Sequence, residues 1–282
     1  MPDLLGLVGI LAKFSLYVGI LTATGLVFVA LVFRLKGLNR LVIVFGLLGL
    51  FATLFSFLLR GAALTGDLAG MYVPEMLGIL MQTPVGTALI YRLAGLSILL
   101  LGAIIGGKGL YFSAIGGGLA LWSFDHIGHI PEKEQTLLNI GLFLHLVFAA
   151  FWIGILTPLR QLAQSNETLL ETARVGHQFG KIASITVPVL ILVGLYMAYF
   201  LVGSWTGLFT TAYGQLLLFK IAMVAILLGF AAINKLRIIP SLQDGDVGAA
   251  KHLAKVISYE WFVILLILAA TAILTSSLTL PT

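Results

Sequence analysis

The chain contains no cysteine and very little charge. Without thiols there is neither a disulfide framework nor thiolate ligation, so any bound metal falls to His, Met, carboxylate or backbone donors. Asp, Glu, Lys and Arg supply 10% of the 282 residues, against the roughly one-quarter that a water-facing surface uses. Histidine is scarce as well, with five in all. No Walker A motif is present, which excludes direct drive by ATP. What fills the chain instead is apolar: 60% hydrophobic residues and a mean hydropathy of +1.11. The apolar runs are continuous rather than alternating, which excludes a β-barrel and predicts an all-α polytopic membrane protein.

Eight segments reach the ~20 residues a crossing needs: 4–33, 41–60, 84–106, 109–130, 137–159, 180–203, 214–237 and 256–278. The first carries Asp3 rather than a basic leader, so it reads as a retained span. Arg34, Lys36, Arg40, Lys108, Arg160, Arg174, Lys181, Lys235, Arg237, Lys251 and Lys255 fall in the loops of one side, against Arg60 and Lys133 on the other. The basic side faces the cytoplasm, so both termini are expected outside. The net charge of +5 is then a topology signal and not a nucleic-acid footprint.

Two short matches suggest a 4+4 parallel tandem repeat. "YVGILT" (17–22) recurs as "WIGILT" (152–157), and "TPVGTALIYR" (83–92) as "TAYGQLLLFK" (211–220). Both are offset by four spans, an even number, so matched helices run the same way. The halves are 1–130, with a Met-containing outer loop at 61–83, and 131–282; no soluble domain fits in either. Loops 61–83 and 160–179, about twenty residues each, are the longest expected.

Candidate chemistry gathers on the outer side. Asp125, His126 and His129 are expected to share one face at the outer end of span four. His145 lies roughly 12 Å into span five, too deep to be interfacial decoration. Imidazole and carboxylate suit Cu(II) or Zn(II), whereas thioethers suit Cu(I). Met71, Met76 and Met81 of the outer loop, with Met197 and Met223, are the available thioethers, although Met also packs readily against apolar surface. Lys13, Arg92 and Lys220 are intramembrane cations. Lys13 is expected to snorkel, while Arg92 and Lys220, at matching repeat positions, are expected to face an interior anion. Glu260 is expected to pair with Lys235 or Arg237, or to be a simple interfacial acid. His177 and His252 are expected in solvated cytoplasmic loops.

Several pieces in order then resemble the CopD family of bacterial copper resistance and copper uptake membrane proteins. They are "SFDHIGHI", "HLVFAAFWIGIL" with His145 and Trp152, "VGLYMAYFLVGSWTGLFTTAYGQLLLFK" with Gly214 and Lys220, "AAINKLRIIP" with Asn234, and "YEWFVILLILAATAILTSSLTLP" with Glu260. The match covers about 122–281, and the first half joins only loosely through "TPVGTALIYRLAG". The resemblance implies a cytoplasmic (inner) membrane protein, not an enzyme, that moves or handles copper, with import favoured over export. It also implies a separate periplasmic CopC-like copper-binding partner, since no such domain precedes span one. The metal-site expectation is His126, His129, His145, Asp125, Met71, Met76 and Met81. Two alternatives stand beside it. One is a haem-b redox protein or oxidase with paired imidazoles as axial ligands and Arg92 and Lys220 on the propionates. The other is a structural subunit of a copper-handling complex.

Overall fold

A computed structural model describes residues 4–128 and 136–276. The described residues form eleven α-helices and no strand: α1 Leu4–Phe33, α2 Asn39–Thr65, α3 Pro74–Met81, α4 Pro84–Ile105, α5 Gly109–Trp122, α6 Thr136–Leu162, α7 Leu169–Val202, α8 Trp205–Thr210, α9 Ala212–Ile233, α10 Ile239–Gln243 and α11 Val247–Leu274. Seven described segments are long and apolar enough to cross a membrane: α1, α2, α4, α6, α7, the unit 212–243 running from α9 into α10, and α11. The chain is an all-α, multi-pass membrane protein.

The expected span 109–130 takes another form. Its α-helix stops at Trp122 after 14 residues and tightens into a 3-10 turn over Ser123–His126. Ser123 Oγ donates back to the Ala120 carbonyl and accepts from Arg92 Nε, anchoring the turn to α4. Gly128 then takes φ 122°, which turns the backbone out of any helix. Asp125 and His126 therefore sit on a 3-10 turn and not on an α-helical face, and His129 lies outside the described residues. α5 and its turn run antiparallel along α4, from the Gly102–Gly109 contact to the Arg92–Ser123 bond.

Both expected long loops are largely helical. Segment 61–83 continues α2 to Thr65, makes a 3-10 turn at Leu68–Met71 and then forms α3. Segment 160–179 continues α6 to Leu162 and enters α7 at Leu169, which carries His177 on an exposed helix face. His252 likewise sits exposed on α11. The chain stays helical beyond its apolar stretch because short polar caps, not the run's edge, set the ends. Thr83 and Thr211 accept from the Val85 and Gly214 amides to start α4 and α9, and Asp246 caps α11.

Helix pairings come in two matching sets: α1 with α2, α2 with α4, α4 with α5 and α1 with α5, then α6 with α7, α7 with α9, α9 with α11 and α6 with α11. The sets join where α1 meets α6. A Cβ on Gly25 would fall 1.8 Å from the Ala150 carbonyl oxygen, and one on Gly154 would fall 2.1 Å from the Gly25 carbonyl carbon. Backbone meets backbone there. Around the second half's cavities Gly141, Gly194 and Gly180 make no tight contact, whereas Gly176 and Gly214 elsewhere in that half do. α1 has 83% of its most apolar window buried, against 11% and 6% for the windows of α7 and of 212–243. The first half is closed and the second is hollow.

Candidate functional site

Two cavities occupy the second half, end to end. The first, of about 340 Å³, lies among α1, α6, α7, α9 and α11 and holds His145, Met197, Lys220 and Tyr17 on otherwise apolar walls. The second, of about 390 Å³, extends toward the other end of the bundle and holds Glu260, Asn234, Lys235 and Ser184. Trp152 and Leu228 line both. The indole of Trp152 stands two helical turns beyond His145 on α6, at the junction between the cavities.

α6 and α7 present His145 to the first cavity. The ring bonds the Leu190 backbone carbonyl and packs against Gly194. Nδ1 is buried and has no hydrogen-bond partner among the described residues. A neutral ring that donates from Nε2 leaves Nδ1 as a bare lone pair, the form a metal ion binds. Met197, one helical step from Gly194, brings a thioether to the same space. Lys220 lies within electrostatic reach of the ring, and its amine has no hydrogen-bond or ion-pair partner among the described residues.

The expected pairing of Glu260 is corrected. Its carboxylate is 2% exposed and accepts from Trp152 Nε1 at 3.4 Å and from Asn234 Nδ2. Lys235 instead gives its amine to Ser184, and Arg237 is exposed. Asn234 reaches the acid because α9 widens into a π-helical turn over Asn234–Ile238, a distortion that often marks a functional site. Its Oδ1 remains buried without a partner. Sequence reasoning named Trp152, Asn234 and Glu260 separately, each inside a family-like motif, but did not join them. The available signal was a lone acid in the run "YEWFVILLILAATAIL".

The outer-side candidates are dispersed. Asp125 and His126 occupy the 3-10 turn, where Asp125 Oδ1 and His126 Nε2 are buried without partners among the described residues and the His126 ring stacks on Tyr91 at 4.9 Å. Phe124, Ile127 and Gly128 line the first cavity, but neither Asp125 nor His126 does. Among the described residues no three His, Asp or Glu side chains gather closely enough to hold a metal. Met71 is buried in an apolar cluster with Ala12, Leu59 and Ala62, Met76 is half-buried, and Met81 is exposed on α3. Met223 packs on the main core and lines neither cavity.

Arg92 and Lys220 have different surroundings. Arg92 donates to Ser123 Oγ at 2.9 Å and lies 4.7 Å over the Phe124 ring, which stacks on Tyr17. It lines neither cavity, so it does not join Lys220 around one cofactor. Lys13 is half-buried and donates to the Thr275 carbonyl rather than reaching outward.

Residues 1–137 match the family described as copper resistance protein D-like, N-terminal domain, and residues 173–274 match the copper resistance protein D family. The two matches cover both halves. This chain belongs to the CopD family. A similar protein is copper resistance protein D of Pseudomonas syringae pv. tomato, 26% identical in an alignment of 258 positions that covers 83% of this chain and 83% of that relative. Another is copper transport protein CutJ of Bacillus subtilis (strain 168), 30% identical over 156 residues; the match covers 53% of this chain and only 27% of that relative. No solved structure matches the chain. This CopD protein is a multi-pass protein of the cell membrane.

Proposed function

We propose that this CopD protein carries copper across the cell membrane through its second half, inward rather than outward, without enzymatic chemistry. The observation that carries the reading is the pair of adjoining cavities that share Trp152, with an imidazole and a thioether in the first. The names of the relatives, copper resistance and copper transport, supply the cargo. His145 and Met197 form the core of the binding site, a borderline and a soft donor that together favour Cu(I). Asp125 and His126 serve as first contacts, a role supported by Asp125 Oδ1 and His126 Nε2 having no partner among the described residues, and His129 is assigned to the same task. Met71, Met76 and Met81 would guide copper at the outer surface, Met81 being the most accessible. A separate CopC-like extracytoplasmic protein would deliver the metal.

The orientation belongs to the same proposal. Lys13 near the start of α1 bonds Thr275 just past α11, so the start of α1 and the end of α11 lie at one end of the bundle. An even number of crossings satisfies this, with α5 and its 3-10 turn as the eighth. The two matching sets of helix pairings support a 4+4 repeat about an axis between α1 and α6. The excess of Lys and Arg at the opposite end puts the His145 cavity outside.

Copper binding to the purified protein in lipid tests the site. His145→Ala should weaken Cu(I) binding by roughly 10–100-fold in a competition titration, and cells lacking the protein should accumulate less copper. Unchanged affinity in His145→Ala would remove the first cavity from the path.

A further inference from the structure

The Glu260 cavity poses a question that copper binding at His145 does not answer. A carboxylate that is 2% exposed within a membrane helix has no ion-pair partner among the described residues. Burying an unpaired charge at that depth is expensive, and such residues mark ion and proton paths. The charged groups around Glu260 have been taken up elsewhere. Lys235 shares its cavity but points its amine at Ser184, and Arg160 on α6 donates to Ser258. Lys220 faces the other cavity. From α6 and α9 the acid receives only the neutral donors of Trp152 and Asn234, and from α7 the cavity wall adds Ser184 and no charge.

Trp152 gives the acid its second property. The indole that lines both cavities where they adjoin, together with Leu228, is the group that donates to Glu260 Oε2. Moving the ring aside both opens the passage and releases one hydrogen bond from the carboxylate. Cargo passing the junction and proton exchange at Glu260 therefore share one moving part.

On the reading that copper crosses through these cavities, we infer that Glu260 is the proton-carrying residue of a proton-coupled copper transporter. The carboxyl takes a proton from water in one cavity while the indole covers the junction. It gives that proton up to water in the other cavity once the indole has moved. No redox change or further reactant is needed. Copper stays on His145 and Met197 on its way to the junction, so Glu260 is a coupling residue and not a metal ligand.

The test uses the full chain in liposomes with a pH dye inside and Cu(I) kept reduced by ascorbate. Two fluxes are compared: net copper entry under an imposed pH gradient, and exchange of radiolabelled copper at equal concentrations without one. The wild type should show net entry that follows the pH gradient, and copper entry should shift the internal pH. In Glu260→Gln, which can still accept from Trp152 and Asn234, net gradient-driven entry should fall by about tenfold or more. Exchange should stay within about twofold of wild type, because exchange needs no proton to come or go. Glu260→Asp, which keeps a titratable carboxyl, should keep the gradient response. A Glu260→Gln protein that still follows the gradient, or one that loses exchange together with net entry, overturns the inference. Wild-type copper entry indifferent to pH overturns it too, leaving the copper path intact. Wild-type vesicles that carry no copper at all overturn the path and the coupling together.

Discussion

At the residue scale, Arg92 and Lys220 show how one sequence position can acquire two characters. They close the matching stretches "TPVGTALIYR" and "TAYGQLLLFK", yet Arg92 is tied to Ser123 and Phe124 whereas Lys220 stands unpartnered in a cavity. Arg92→Ala should therefore lower stability by about 1–3 kcal/mol, read as an earlier thermal unfolding midpoint in detergent, and leave copper affinity unchanged. Lys220→Met should leave the midpoint nearly unmoved and tighten Cu(I) binding. The gain comes from removing a like charge beside the His145 site, an effect of order 1 kcal/mol or more at partial burial. His145 was legible from sequence because depth alone made it unusual. The absence of His126 from its cavity was not, because the direction of a side chain after Trp122 depends on a 3-10 turn. That turn is held in place by a hydrogen bond from Arg92, thirty-one positions earlier than Ser123.

At the element scale, the decisive contact is the crossing of α1 and α6. The glycines of "TGL" at 24–26 and "IGI" at 153–155 let the two backbones touch. Gly154→Ala inserts a methyl where the Gly25 carbonyl carbon would lie 2.1 Å away. It should cost about 1–3 kcal/mol by overpacking, measured by thermal unfolding, whereas Gly229→Ala, with nothing within 4 Å, should be neutral. The repeated words "YVGILT" and "WIGILT" were readable, and so were seven of the eight expected crossing segments, because hydrophobic length is a local property. Helix ends were less so. Segments 61–83 and 160–179 look like loops by polarity, but Thr, Ser and Asp caps and the Pro74 start convert them into short helices and extensions.

At the scale of the whole molecule, the absence of native cysteine makes topology directly measurable. Single cysteines at Ala69 and Thr206 should react with an impermeant thiol reagent on intact cells, and those at Lys108 and Asp244 only after permeabilisation. All four positions are exposed. The reverse pattern would invert the path and make the His145 cavity cytoplasmic. Charge bias alone gave this orientation from sequence, whereas the hollowness of one half could not be read there. Both halves have similar hydropathy, and only packing separates a filled bundle from an open one.

That difference in packing assigns an unexpected role to the solvent. α7 and α9 have few protein neighbours, so acyl chains form the outer retaining wall of the cavities while the glycine-locked half forms a rigid inner one. Any widening at Trp152 must push lipid aside and not protein. The rate of copper passage should consequently track the stiffness and thickness of the surrounding bilayer, even where every donor atom is unchanged.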